Sequence, residues 1–183
     1  MASLTVLAGP TAVGKGAVVA ALLRKYPNVY LSVSATTRPA RPGEVDGVHY
    51  HFLTDAQFDQ LVCNNGLLEW ALVHGQYRYG TPKAAVEAHL ATGQPVLVEI
   101  DLAGVRQIRQ TMPAAKFIFL APPSWDELVA RLRGRGTEDE AEQQRRLETA
   151  KVELAAASEF DLTIVNDEVE TAVTRLAEAM GLA

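Results

Sequence analysis

Apolar residues gather in short unbroken runs at Leu4 to Ala8, Pro95 to Ile100, Lys116 to Leu120 and Leu162 to Val165, each of strand length and bounded by Gly, Pro or Asp. Continuous apolar runs, rather than alternating ones, predict strands buried on both faces. Helical periodicity fills the gaps, over Lys15 to Lys25, Leu102 to Thr111, Ser124 to Leu132, Asp139 to Ala157 and Glu168 to Met180. Alternation of this kind predicts an α/β chain with a parallel sheet flanked by helices. Two S/T-x-x-E/Q capping boxes, Thr54 with Gln57 and Ser124 with Glu127, mark helix starts. The alternation fails between Ser34 and Thr81, where prolines and glycines punctuate short segments holding Tyr50, Phe52, Trp70, Tyr77 and Tyr79; short antiparallel strands in an inserted subdomain are expected there. Arg131 to Arg146 carries five arginines and four acids around a glycine-rich turn and reads as a mobile lid.

The 183 residues fit one domain, at roughly 100 to 200 residues per domain. Its expected parts are a core over 1–33, 82–130 and 147–183, an insert over 34–81 and a lid over 131–146. With 48% hydrophobic and 21% charged residues, intrinsic disorder is excluded. A single cysteine, Cys63, rules out an intramolecular disulfide framework and points to a reducing cytoplasm, with Cys63 itself a packing residue. Ala17 to Leu23, the longest apolar run near the N-terminus, is far short of the roughly 20 residues a membrane span needs, so neither a span nor a targeting signal is read. The net charge of −5 disfavours a general nucleic-acid binder, and any anionic ligand must be held locally. His49, His51, His74 and His89 lack metal-ligand spacing and read as structural or surface residues.

Between the first apolar run and the first helix, Gly9-Pro10-Thr11-Ala12-Val13-Gly14-Lys15 matches G-x-x-x-x-G-K in the strand–turn–helix context that a P-loop requires. Glycines allow backbone N–H groups to curl around phosphate oxygens, the helix N-terminus adds positive partial charge, and Lys15 can reach the β and γ phosphates. Gly9 through Gly14, Lys15, Gly16 and Ala17 are therefore the candidate contacts for a nucleotide's phosphates. A plain tight turn with a helix-capping glycine is the competing reading, weakened by the placement of the loop directly after a buried strand. One element is absent: Gly16 and Ala17 supply no hydroxyl to help position Mg²⁺. Two readings follow, a weakened or non-catalytic relative, or an Mg²⁺ held mainly by phosphate oxygens and water. The second suits an ion that dehydrates reluctantly, so no direct protein ligand for the metal is assigned.

Ser34-Ala-Thr-Thr-Arg38-Pro-Ala-Arg41-Pro-Gly43-Glu44-Val-Asp-Gly47-Val-His-Tyr50, added to the P-loop, resembles the guanylate kinase family. The likeness continues through Leu68-Glu69-Trp70, Tyr79-Gly80-Thr81-Pro82, Glu99-Ile100-Asp101, Ala121-Pro-Pro-Ser124, Arg135-Gly136-Thr137-Glu138 and Ile164-Val-Asn166-Asp167, covering nearly the whole chain. Departures are confined to the loop, at Thr11, Ala12 and Ala17. The resemblance implies a P-loop core, a GMP-binding insert and an arginine-rich lid, with ATP and GMP as substrates and Mg²⁺ as cofactor. It also implies a place in purine nucleotide metabolism and GMP recycling. Use of dGMP is left open.

Arginine forks clamp a dianionic phosphate bidentately. Arg38 and Arg41, three apart on a loop stiffened by Pro39 and Pro42, would aim at one anion, and the resemblance adds the hydroxyls of Tyr50 and Tyr79. Guanine presents two adjacent donors that one carboxylate can accept, a role the resemblance gives to Glu69, with Ser34 and Thr81 as partners; from the residues alone, Glu69 is an acid beside a buried aromatic, Trp70. Asp101 ends an apolar strand where ligands meet a parallel sheet, and would hold a metal-bound water or accept a hydrogen bond from GMP, or simply cap the next helix. The resemblance sends Arg131, Arg135 and Arg146 to the transferring phosphates, whereas helical ion pairs with Glu138, Asp139, Glu140 and Glu142 are the plainer reading. Asn166 and Asp167 are expected near adenine, or in an ordinary turn.

Phosphoryl transfer needs alignment and charge neutralisation more than covalent help, and the acceptor phosphate is already a nucleophile, so no general base is expected. Two alternatives remain, a binding module that keeps the fold without catalysis and a kinase of the same fold acting on another monophosphate. Only Ala17 supports the first, and Glu69 speaks against an adenine acceptor.

Overall fold

The computed structural model describes residues 3–134, 136 and 139–182. Five strands, β1 (Leu4–Ala8), β2 (Tyr30–Leu31), β7 (Val96–Glu99), β8 (Lys116–Ala121) and β9 (Leu162–Val165), form a parallel sheet in the order β2-β7-β1-β8-β9. The P-loop strand β1 is central and buried along its whole length, as its unbroken apolar run requires. Helices cover both faces. Leu7, Leu97, Ile118 and Leu120 pack with α1 (Lys15–Lys25) and α7 (Val169–Met180), while Leu4, Val6, Val96, Val98 and Phe117 pack with Val86 of α3 (Lys83–Ala91) and with Val105 and Ile108 of α4 (Leu102–Thr111). Alternate strand residues point to opposite faces, so one sheet feeds two apolar layers.

A second sheet occupies part of 35–82. Its strands β3 (Ala35–Thr36), β4 (His51–Phe52), β5 (Leu67–Val73) and β6 (Tyr77–Pro82) lie in the order β4-β3-β6-β5. It is mixed rather than purely antiparallel: β3 pairs parallel with β4 and antiparallel with β6. Helix α2 (Asp55–Cys63) covers it through Phe58, which joins Ala35 and Leu67 in a small separate core.

Thr54 and Gln57 form both halves of the expected capping box. At α5 (Trp125–Gly134) only one half forms. The Glu127 N–H donates to Ser124 Oγ at 3.1 Å, but the Glu127 carboxylate accepts instead from Arg131 Nε one helical turn on, at 3.2 Å. A charged partner outcompetes a neutral backbone N–H. Much of the arginine-rich stretch is regular helix: α5 runs to Gly134 and α6 (Glu140–Ala155) begins after the capping residue Asp139, followed by a 3₁₀ turn over Ala156–Glu159. Cys63, expected inside, is exposed at the end of α2. None of the described helices is long and apolar enough to cross a membrane.

Candidate active site

The chain leaves β1 into a loop that only certain backbones can form. A Cβ on Gly9 would lie 2.4 Å from the Leu120 carbonyl oxygen on β8, so glycine is required for the loop to leave the sheet at that point. At Gly14 the backbone is left-handed (φ 97°) and a Cβ would meet Asn166 Nδ2 at 2.7 Å. Ala12 is also left-handed (φ 67°), a conformation alanine pays to adopt. The loop is held from beneath through the Val13 carbonyl, which accepts from Asn166 Nδ2 at 2.8 Å and Arg131 Nη1 at 3.2 Å, while Arg131 Nη2 donates to the Asn166 carbonyl at 3.3 Å. Above it, Lys15 Nζ donates to the Gly9 carbonyl at 2.6 Å across a hollow lined by Pro10, Thr11, Ala12, Gly14, Gly16 and Ala17. The first N–H groups of α1 open onto this hollow. It is an anion cradle in the helix-N-terminus sense.

Thr11 and Lys15 also border a neighbouring hollow with Glu99, Asp101 and Glu153. Burial pushes the Glu153 carboxyl above the usual glutamate range and the nearby Asp101 charge adds to this, while the Lys15 charge and a hydrogen bond from the Thr11 backbone oppose it. Asp101 caps α4, accepting from the Gly104 N–H at 2.8 Å, so the capping reading holds while its carboxylate still faces Lys15's surroundings.

On the second sheet, Arg38 is only 8% exposed. Its Nη1 and Nη2 donate to the two carboxylate oxygens of Glu44, both at 2.9 Å, its Nε donates to Tyr79 Oη at 3.2 Å, and its guanidinium carbon sits 5.3 Å from the Tyr50 ring centre. Held by that fork and by the Arg41 N–H at 2.7 Å, the Glu44 carboxyl is pulled down to about 2. Arg38, Tyr50 and Tyr79 are thus brought together, whereas the Arg41 side chain is exposed on the loop and contributes its backbone to Glu44.

Trp70, expected to be buried, is 37% exposed, while its neighbour Glu69 is the buried one, 9% exposed. A β-bulge between Leu67 and Glu69 shifts the register and re-aims the strand. Across the ladder, Thr81 Oγ1 donates to Glu69 Oε1 at 2.7 Å. Burial pushes the Glu69 carboxyl upward, the Thr81 hydroxyl opposes this, and the Asp101 charge adds to it. Ser34 lies half-buried just before β3, its carbonyl accepting from the His51 N–H at 2.8 Å. A Cβ on Gly104 would stand 3.1 Å from Glu69 Oε2, so the first turn of α4 touches Lys15's hollow at Asp101 and the Glu69 carboxylate at Gly104.

Among the lid arginines, Arg131 supports the P-loop from below, Arg146 Nε pairs with Glu142 at 3.3 Å among its contacts, and Arg135 lies outside the described residues. Asn166, expected at adenine, is 4% exposed and commits its amide to the Val13 carbonyl, which makes it a support of the loop. Glu44 stands within the motif but was given no role by the sequence, and Glu153 carried no local signal at all.

A P-loop opening onto a parallel sheet, with a second anion-holding arginine on an inserted sheet, defines a phosphotransferase that carries phosphate between two phosphorylated ligands. The family model for guanylate kinase matches residues 1–182. Guanylate kinase of Leifsonia xyli subsp. xyli is 62% identical over 177 residues, 97% of this chain and 70% of that protein. Guanylate kinase of Thermobifida fusca is 63% identical over 166 residues, 91% and 84% respectively. The crystal structure of guanylate kinase from Anaplasma phagocytophilum superimposes with a TM-score of 0.74 at 30% identity, covering 98% of this chain and 85% of that one. Shikimate kinase from Bacteroides thetaiotaomicron, 17% identical with a TM-score of 0.53 over 98% and 99% of the two chains, shares the fold alone. The chain belongs to the guanylate kinase family and is a kinase, a transferase.

Proposed function

We propose that the chain transfers the γ-phosphoryl group of ATP to GMP, giving ADP and GDP, and serves purine nucleotide metabolism and GMP recycling in the reducing cytoplasm. The observation that carries this reading is the first turn of α4, where Asp101 borders the Lys15 hollow and Gly104 abuts the Glu69 carboxylate. Donor cradle and acceptor pocket meet there, three residues apart.

In this reading 34–81 is the GMP-binding insert, 131–146 the lid and the remainder the core. The loop from Gly9 to Ala17 and Lys15 hold the ATP phosphates. Arg38 binds the GMP phosphate from the carboxylate and phenol that orient it, with Tyr50, Tyr79 and the exposed Arg41 completing the clamp. Glu69 accepts the two guanine donors through Oε2 and the lone pairs that Thr81 leaves free, and Ser34 and Thr81 lie beside the base. Lys15 and the arginines Arg131, Arg135 and Arg146 spread positive charge over the equatorial oxygens, Arg131 after releasing part of its hold beneath the loop. Asn166 keeps the loop in shape. No side chain takes a proton, because the GMP phosphate is itself the nucleophile.

The hollow beside Lys15 offers Glu99, Asp101 and Glu153, hard oxygen donors of the kind Mg²⁺ accepts through its water shell. Among the described residues no three such groups are arranged to hold a metal ion directly, so the ion would be held by the phosphates and water, with these carboxylates reaching its water shell and no hydroxyl offered by Gly16 or Ala17. Bound with ATP, Mg²⁺ supplies neutralisation of the β and γ phosphate charge.

A coupled assay of ADP formation with ATP and Mg²⁺, offering GMP, dGMP, AMP, dTMP or no acceptor, tests the reading. Strong GMP-dependent turnover is expected. GMP binding without turnover would indicate a non-catalytic module.

A further inference from the structure

Helix α4 grips strand β5 on either side of Glu69. Gln107 uses its whole amide: Oε1 accepts from the Trp70 N–H at 3.0 Å and Nε2 donates to the Trp70 carbonyl at 2.9 Å. One turn further, Thr111 Oγ1 donates to the Leu68 carbonyl at 2.8 Å. Gly104, one turn earlier, sets the floor against Glu69 Oε2. Positions 104, 107 and 111 share one helix face, so one rigid stripe holds the backbone at 68 and 70 and the carboxylate at 69. This happens where it is most needed. Strand β5 is the edge of its sheet and carries the bulge between Leu67 and Glu69, so a neighbouring strand does not fix the backbone on that side. The primary amide of Gln107 replaces it, presenting one donor and one acceptor as a paired strand would.

We propose that Gln107, with Thr111, is a positioning residue for acceptor selectivity: it fixes the β5 backbone so that the Glu69 carboxylate meets both guanine donors at once. The proposal rests on Glu69 reading the base. Gln107 commits both ends of its amide to the Trp70 backbone, and its contribution is geometric. A carboxylate displaced by an ångström keeps one donor and loses the other, so the change falls on the difference between GMP and IMP, which lacks the exocyclic amino donor.

Three variants, Gln107→Ala, Gln107→Glu and Glu69→Ala, are assayed with GMP and IMP, together with the Gln107→Ala/Glu69→Ala double variant. Gln107→Glu keeps the volume and the acceptor but cannot donate to the Trp70 carbonyl, and it serves where the alanine variant fails to fold. The expected result is a rise of about five- to tenfold in KM for GMP, a similar loss of the GMP-over-IMP preference, and KM for ATP unchanged, in line with loss of a pair of hydrogen bonds at a partly exposed position. In the Glu69→Ala background the same change has no further effect on the preference. An unaltered GMP-to-IMP ratio in both Gln107 variants, or an equal fall in every parameter, overturns the proposal while leaving Glu69 as base reader. An unaltered ratio in Glu69→Ala overturns the base-reading role itself.

Discussion

Around Lys15 the contacts that shape the site run through main chain: Gly9 lies against the Leu120 carbonyl, and the Val13 carbonyl is gripped by Asn166 and Arg131. Around Arg38 and Glu69 they run from side chain to side chain, Arg38 to Glu44 and Tyr79, Glu69 to Thr81. The difference follows what each half must recognise. In the proposed reading the ATP phosphates are met by N–H groups and one ammonium, whereas the acceptor half must fix one phosphate with a guanidinium and one base with a carboxylate, and both need buried, paired side chains to place them. It also follows how each half is anchored. The cradle hangs from the middle of a five-stranded sheet, and the acceptor pocket hangs from the edge strand β5 and its partner β6, with β5 braced by α4.

Breaking the cradle has the largest effect. Lys15→Met removes the one ammonium in the loop and lowers kcat by about 10² to 10³, the scale for losing a preorganised charge at the transition state, with KM for GMP little changed. Steady-state kinetics with GMP varied at saturating ATP check this split. On the acceptor side, Glu44→Ala leaves the buried Arg38 without its fork and raises KM for GMP about tenfold, the scale of a charged hydrogen-bonded pair, while KM for ATP holds. An equal rise in both constants would erase the distinction between the two halves.

Acid separates the two carboxylates of the acceptor side. Glu69 is raised by burial, and only its ionised form accepts two donors, so KM for GMP rises as pH falls through a value above the ordinary glutamate range of about 4.3. Glu44, held to about 2, stays ionised through that window and keeps Arg38 oriented. A pH profile of KM for GMP in the wild type and in Glu69→Gln measures this, and the acid limb is expected to vanish in the variant. The smallest effect is at Gly16, directly after the P-loop lysine, where a Cβ meets nothing within 4 Å: Gly16→Ser supplies the missing hydroxyl and lowers the half-saturating Mg²⁺ concentration about two- to threefold. An unchanged Mg²⁺ titration would show that the carboxylates beside Lys15 and the phosphates suffice.

What the sequence made legible is what local pattern encodes. Leu4–Ala8 was readable as a buried strand because every position is apolar or small, and Lys15–Lys25 and Leu102–Thr111 as helices because glycine or aspartate opens them and apolar residues recur at helical spacing. Leu162–Val165 was readable as a strand, but burial on both faces fails there: it is an edge of the sheet, with Leu162 and Thr163 exposed and only Ile164 buried. Strand β2 has two residues and no period to detect, and α3 follows β6 directly with Val86 as its one buried anchor, so both depend on tertiary contacts. In the site, the P-loop and the Ser34–Tyr50 motif are contiguous and therefore visible. The pairing of β3 with β4, the inward turn of Glu69, the loop-supporting role of Asn166, and the parts played by Glu153 and Gln107 arise between segments far apart in the chain, which spacing along one sequence does not record.

The contrast between a generic cradle and a selective acceptor pocket is tested most directly by the ratio of kcat/KM for GMP over AMP, measured in the wild type and in Glu69→Ala with KM for ATP followed in both. The expected result is a wild type that strongly prefers GMP, a ratio that collapses by about 100-fold in the variant because the base loses its carboxylate partner, and an unchanged KM for ATP. A wild type indifferent to the base, or a ratio that survives the loss of Glu69, would contradict it.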